Sequence, residues 1–358
     1  MPLDGFTVKS RFRDYKVSFA SPEEYIDRLA AEPNSVAVID ENVWRLHRDG
    51  ALKPFSTRQI IPLPISEELK SLESVQKLYD RIVEFAPKKN MHLVSVGGGI
   101  TQDITGFVAS TLYRGIKWTF VPTTLLAQAD SCIGGKTSLN YRDYKNLIGT
   151  FYPPADIFLS ADFLATLSDN DYLSGMGEVA KLSIIGGESA ALKFSAALPS
   201  LLKREPAALM EFLRLVLTVK KGYIEDDELD SGRRNILNFG HCFGHAIESA
   251  TNFRVPHGTA VVYGMLLANM VAKRRGVLSA SSERAFSDNF LRPLLNIKLR
   301  EDEINPSEIL SGMKKDKKRI GDKLPLVMVA DGFRMLRIND LDESEVVGVL
   351  SEIKKLGL

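Results

Sequence analysis

The hydrophobic pattern of this chain changes character near residue 165, and the change limits the folds open to it. Before that point, short β-branched runs alternate with helical patterns: VAVID (36–40), RQIIPL (58–63), HLVSV (92–96), KWTFVP (117–122) and ADIFLS (155–160). Strands separated by helices predict a mostly parallel sheet flanked by helices. After that point, apolar residues at three-and-four spacing dominate, as in AALMEFLRLVLTVKKGYI, FGHAIESATNF and AVVYGMLLANMVAKR. That periodicity predicts a mainly α-helical second half. Two domains are expected, 1–165 and 166–358, joined without a flexible linker and packed around a cleft. One late strand-like run, KLPLVMVA (323–330), has no evident place in the helical half.

Charge and cysteine content exclude several classes of function. The 358 residues carry 46 basic and 45 acidic side chains, so no global field recruits nucleic acid or an anionic membrane. Any anion must be met locally. No apolar stretch approaches the roughly 18 residues of a membrane span, and MPLDGFTVKSRFRDYKVSF lacks the apolar run of a signal peptide. With Cys132 and Cys242 as the only cysteines, a disulfide framework is excluded and a reducing, cytoplasmic setting is expected.

Chemistry concentrates in RRNILNFGHCFGHAIESATNFRVPHG, which holds His241, His245 and His257 beside Arg233, Arg234 and Asn238. Imidazoles beside guanidinium groups point to a transition metal working on an anionic substrate. His241 and His245 are four apart, on one helix face, which suits a ligand pair or a pair of core or capping residues. A second concentration lies after HLVSV, where Gly97, Gly98 and Gly99 open a helical run. Glycines there let the backbone approach a pyrophosphate at a helix N-terminus, although a tight turn explains a bare Gly-Gly-Gly equally well. Asp40 ends the first strand-like run and is placed to bind a ribose or to fix a loop. Thr123, Thr124, Gly134-Gly135-Lys136, Lys145 and Asn146 supply hydroxyls and point charges suited to phosphate. A P-loop is excluded, because the spacer required before Gly-Lys is missing.

SVGGGITQDITGF, YRGI, VPTTLLAQADSCIGGKTSLN, KNLIGTFYPP, GEVAK, the Asp-Glu pair before SGRR, LNFGHCFGHAIE, HGTAV and DKK follow one another along residues 36–330. In that order they resemble the 3-dehydroquinate synthase and sugar phosphate cyclase family. The resemblance implies an α/β, Rossmann-like NAD-binding N-terminal domain and a helical metal- and substrate-binding C-terminal domain. It also implies a homodimer, NAD, and one divalent ion, zinc or cobalt. The implied activity is that of a phosphate-eliminating lyase of aromatic amino acid biosynthesis. Such an enzyme converts 3-deoxy-arabino-heptulosonate 7-phosphate to 3-dehydroquinate by transient oxidation, elimination, reduction and intramolecular aldol closure.

Carried residue by residue, the resemblance puts the metal on Glu178, His241 and His257, leaving His245 to face substrate. Lys136, Asn146, Asn238, His245 and Lys317 are implied around the phosphate, with Arg114 reaching it from the partner subunit. Lys220 and Arg234 are implied at the substrate carboxylate, and Asp130 and Lys181 at the hydroxyls near the metal. Asp40, Glu67, Lys70, Gly98, Gly99, Asp103, Thr123, Thr124, Lys136 and Lys145 match cofactor contacts of the family.

Plainer readings stand beside these. MKKDKKRIGDK, which contains Lys317, has the composition of a solvated charge run. Lys220 and Lys221 near a helix end would complement its dipole. Glu178 and Lys181, at i and i+3, would make a surface ion pair. Two departures bear on the substrate. His257-Gly258-Thr259 stands where shikimate-route enzymes usually read His-Gly-Glu, and NYRDYKN is closer to cyclases of secondary metabolism acting on compounds such as sedoheptulose 7-phosphate. Against these, Arg234 implies an acidic substrate, since a buried guanidinium without its carboxylate is costly. A metal-dependent dehydrogenase of the glycerol dehydrogenase type and a non-catalytic NAD-binding protein are the other readings.

Overall fold

The computed structural model describes residues 4–86, 88–142, 144–315 and 323–356. The chain divides into two compact units, Met1–Leu167 and Ser168–Leu358.

The first unit contains strands β1 (Gly5–Val8), β2 (Tyr15–Phe19), β3 (Ser35–Asp40), β4 (Ile60–Leu63), β5 (His92–Gly97), β6 (Lys117–Pro122), β7 (Lys136–Tyr141), β8 (Tyr144–Phe151) and β9 (Asp156–Leu159). Seven of them form one sheet in the order β1-β2-β9-β6-β5-β3-β4, parallel except for the β1–β2 pair. Every residue of β5 is buried, as a central parallel strand covered on both faces requires. Between the strands run α1 (Ile26–Ala31), α2 (Glu41–His47), α3 (Leu72–Val83) and α4 (Gly99–Thr111). Helix α3 begins at Ser71, whose hydroxyl accepts from the Ser74 N–H, and buries Val75, Leu78 and Ile82 along one stripe. The five strand-like runs of the sequence are β3, β4, β5, β6 and β9. The antiparallel hairpin β7–β8, by contrast, occupies the region read from sequence as a phosphate-binding turn, and within NYRDYKN it pairs Tyr141 with Tyr144.

The second unit contains α5 (Asp169–Ile185), α6 (Glu188–Leu202), α7 (Pro206–Asp226), α8 (His241–Ala250), α9 (His257–Arg274), α10 (Ala280–Phe286), α11 (Pro306–Lys315) and α12 (Glu343–Lys355). The late apolar run finds its place as β10 (Leu324–Ala330), paired antiparallel with β11 (Arg334–Leu341). Helix α9 is buried on all sides from Gly258 to Ala272, so it is the axis of this unit's core. Small residues set its distance to two neighbours. A Cβ on Gly177 of α5 would lie 2.4 Å from the Gly258 carbonyl oxygen, and one on Gly264 would lie 1.9 Å from that of Gly240. Among the described residues, no helix is long and apolar enough to cross a membrane.

Candidate functional site

In the second unit, the close helix contacts bring three donors together. Glycines flank each of them: Gly177 precedes Glu178, Gly240 precedes His241, and Gly258 follows His257. The Ser174 hydroxyl of α5 accepts from the Gly258 N–H at 2.9 Å, tying the start of α9 to α5 one turn before Glu178. Gly240 precedes α8 with φ +79°, which glycine adopts without strain. As a result, one ligand atom each from Glu178, His241 and His257 lies within 4.8 Å of the others. Glu178 Oε1 is 3.4 Å from His257 Nε2 and 3.9 Å from His241 Nε2.

Hydrogen bonds on the far side of each ring orient the donors. His241 Nδ1 is 3.2 Å from the Phe239 carbonyl oxygen, which can only accept, so Nδ1 carries the proton and Nε2 presents a lone pair. Burial is the main reason His241 titrates well below the usual imidazole range, reinforced by Lys181 and the two neighbouring histidines. His257 Nδ1 is 2.9 Å from Glu248 Oε2. Burial alone would depress His257, but the Glu248 carboxylate and then Glu178 hold it up at about 10. Two imidazoles and a carboxylate so arranged fit a divalent transition ion with positions left for substrate.

Lys181 pairs with Glu178, and both side chains are almost completely enclosed, at 1% and 0% exposure. A surface ion pair is therefore not what this spacing encodes. The rings of His241 and His245 lie 5.2 Å apart, yet His245 is exposed and groups with Glu248 and His257, not with Glu178. Lys220 and Arg234 are each 5% exposed. Lys220 lies inside α7, which continues to Asp226, beyond where a dipole role alone would place it. The turn before Arg234 is held by Asp227, whose carboxylate accepts from the N–H groups of Ser231, Gly232 and Arg234. Arg234 Nη1 donates to the Glu228 carbonyl at 2.5 Å, and Asn238 Nδ2 donates to the Asn235 carbonyl at 3.0 Å. Thr259 is completely buried on α9, with no hydrogen-bond partner for its hydroxyl among the described residues. Lys317 lies outside the described residues.

In the first unit, the carboxyl ends of β3, β5 and β6 carry Asp40, Gly97 and Pro122-Thr123 side by side. The Thr123 N–H donates to the Gly97 carbonyl at 2.9 Å. Gly98 precedes α4 with no side-chain cap, leaving the first N–H groups of that helix to a ligand or solvent. A Cβ on Gly98 would stand 3.1 Å from the Thr124 methyl, filling the cradle. The buried Thr123 hydroxyl has no hydrogen-bond partner among the described residues. An uncapped helix end, a cradle that a Cβ would fill and an orphaned hydroxyl fit a pyrophosphate-containing cofactor. Asp40 also serves a structural purpose, since its carboxylate caps α2 by accepting from Asn42 and Val43. Burial raises that carboxyl above its ordinary range despite the two N–H donors.

The remaining cofactor-type residues form one polar network around the β7–β8 hairpin. Lys70 Nζ lies 2.5 Å from both Asp103 Oδ2 and Asn146 Oδ1, and Ser138 donates to Asp103 through its N–H and its hydroxyl. Burial raises the Asp103 carboxyl even so. Asn140 Nδ2 donates to Glu67, whose carboxylate is 3.8 Å from Lys145 Nζ. Lys136 is exposed at the start of β7, over the Phe151 ring, and Asp130 is half-buried after β6. Arg114 is exposed beyond α4 at φ +62°.

Sequence reasoning gave no role to Glu248 or Ser138, and noted Asp227 only within the Asp-Glu pair before SGRR and Asn140 only within NYRDYKN. Glu248 was detectable, since it lies seven residues after His241 and so on the same face of α8. The structural roles of Asp227, Ser138 and Asn140 were not, because loop geometry sets their partners.

Residues 60–174 match the 3-dehydroquinate synthase N-terminal family and residues 175–319 the 3-dehydroquinate synthase C-terminal family. The 3-dehydroquinate synthase of Dictyoglomus turgidum is 36% identical over 294 residues, covering 82% of each chain. That of Dehalococcoides mccartyi is 31% identical and covers 96% of this chain and 97% of its own. Among solved structures, 2-deoxy-scyllo-inosose synthase in complex with carbaglucose-6-phosphate, NAD+ and Co2+ has the same fold. Its TM-score is 0.87 at 24% identity, over 99% of this chain and 100% of that one.

Proposed function

Because the chain belongs to the 3-dehydroquinate synthase family, we propose that it is an NAD- and metal-dependent sugar phosphate cyclase, converting 3-deoxy-arabino-heptulosonate 7-phosphate to 3-dehydroquinate with release of phosphate. One observation carries the reading. Three metal-type donors from three different helices converge within 4.8 Å of one another, in a unit that also buries Lys220 and Arg234. Buried cations of this kind suit a substrate bearing both carboxylate and phosphate.

When bound, NAD supplies a hydride acceptor and donor, and the divalent ion supplies Lewis acidity at a substrate hydroxyl. The chain's own residues position and neutralise. Glu178, His241 and His257 hold the ion, for which zinc or cobalt suits two imidazoles and a carboxylate. Lys181 pairs with Glu178 and offers its ammonium to a substrate hydroxyl. Arg234, steadied by Glu228 and Asp227, and Lys220 take the substrate carboxylate. His245, exposed beside the ligand pair, takes and returns a proton at the phosphate side, with Asn238 as a hydrogen-bonding neighbour. In the first unit, the Gly98 cradle, the α4 N-terminus and Thr123 hold the cofactor's pyrophosphate, while Asp40 stands at its ribose. The proposal includes a cytoplasmic homodimer in which Arg114 reaches the partner's substrate.

The test supplies the heptulosonate phosphate with catalytic NAD and zinc or cobalt, and follows phosphate and NADH together. Phosphate release without net NADH is expected. Steady NADH accumulation would indicate a dehydrogenase instead, and inactivity on this substrate but turnover of sedoheptulose 7-phosphate would move the enzyme to another cyclase branch.

A further inference from the structure

The second unit carries an arginine that none of these roles uses. Arg337 lies on β11, directly opposite Val327 of β10. It lines a small cavity with Asn238, His241 and His245 on one side and Leu326 and Val327 on the other. We infer that Arg337 is a phosphate-binding residue of the substrate site, an inference that rests on the reaction proposed above.

The first support is position. His245 and Asn238 are the described residues of this unit proposed to meet the phosphate, and Arg337 shares their cavity. The second is the state of the side chain. Arg204, Arg233, Arg254, Arg274 and Arg275 of this unit are each bound to a carboxylate, and Arg234 to a carbonyl, while the exposed Arg284 and Arg334 do not line this cavity. Arg337 is exposed and has no hydrogen bond or ion pair among the described residues. Its donors are in water at the cavity edge, so meeting an anion breaks no existing contact. The third is chemistry. A guanidinium offers a planar fork that bonds two phosphate oxygens at once, which neither an imidazole nor an amide can do. The antiparallel β10–β11 ladder holds the Arg337 backbone in register, a more rigid mount than a loop.

The test measures binding of inorganic phosphate to metal- and NAD-loaded enzyme by calorimetry, for wild type, Arg337→Lys and Arg337→Ala. Loss of one charge-assisted contact should weaken phosphate binding by about tenfold or more in the alanine variant, with lysine intermediate. Metal affinity and melting temperature should stay at wild-type values, since the side chain is exposed and is not a ligand. Unchanged phosphate affinity in both variants would overturn the inference, as would no measurable phosphate binding by wild type. Turnover separates this result from the larger proposal. If wild type releases no phosphate from the sugar phosphate yet loses inorganic phosphate on Arg337→Ala, the reaction is wrong and the phosphate site stands. If wild type turns over and the variants bind phosphate normally, the role of Arg337 alone is wrong.

Discussion

Replacing Glu248 by glutamine or alanine removes the carboxylate that steers His257, without touching any proposed metal ligand. In the native protein Glu248 Oε2 lies 2.9 Å from His257 Nδ1, and the opposite nitrogen is 3.4 Å from Glu178 Oε1. A hydrogen bond to a charged group contributes about 1.5–3 kcal/mol, and mutating such an outer partner costs about 10–100-fold in metal affinity. Glutamine can still accept from Nδ1–H, so its loss should sit near tenfold, about 1.4 kcal/mol, with alanine nearer 100-fold. A second, opposing contribution comes from the proton. Burial depresses His257, but Glu248 and Glu178 hold it up at about 10, so metal uptake near neutral pH must displace a proton. Apparent metal affinity should therefore rise with pH below that value. Without the Glu248 charge, less proton is displaced, which recovers part of the lost affinity. Competition against a chromogenic zinc chelator measures the affinity, and calorimetry in two buffers of different ionisation enthalpy counts the protons. Wild-type affinity and wild-type proton release in both variants, with normal melting curves, would refute the role assigned to Glu248.

Four further substitutions probe other residues. Lys181→Met leaves the buried Glu178 carboxylate without its ammonium, so the metal-free protein should lose about 3–5 kcal/mol. Added zinc should restore part of that stability in a thermal melt, and an unchanged metal-free melting temperature would contradict the pairing. Gly98→Ala puts a methyl 3.1 Å from the Thr124 methyl, at the proposed pyrophosphate position, and should weaken NAD binding about tenfold with little change in melting. Gly97→Ala, whose methyl would meet the Thr101 hydroxyl at 2.4 Å, should instead destabilise the fold by about 1–3 kcal/mol, read by urea unfolding. For Asp227, burial pulls upward, but the N–H groups of Ser231, Gly232 and Arg234 hold the carboxyl at about 2. Because the folded value lies below the unfolded value of about 3.9, its stabilisation is present above that pH and is lost as pH falls toward 2. Asp227→Asn should flatten this part of the stability curve, measured by urea unfolding between about pH 5 and pH 2.

Local patterns carried much of the fold. The β-branched runs at 36–40, 58–63, 92–96, 117–122 and 155–160 are strands because each can be buried only in a helix-covered sheet, and α9 is legible from its continuous apolar surface. β1, β2 and the β7–β8 hairpin were not legible, since short segments with several polar residues, such as YKVSF and KTSLNY, differ little from loops until they pair. The same division runs through the candidate site. Residue type alone marks the clustered histidines as donors and Gly97-Gly98-Gly99 as a place where backbone can approach a ligand, whereas Glu178 enters as a donor only through the family resemblance. Spacing alone pairs His241 with His245, at i and i+4 on one helix face, and only the family resemblance puts His257 in that place. Packing brings His241 and His257 within 4.8 Å of Glu178, where α5, α8 and α9 touch at glycines, and puts the exposed His245 with Glu248 and His257. Arg337 likewise meets His241 and His245 only through packing, at the small cavity that they line together. A one-dimensional pattern encodes what each residue prefers, whereas proximity between distant residues exists only after the helices and strands have packed.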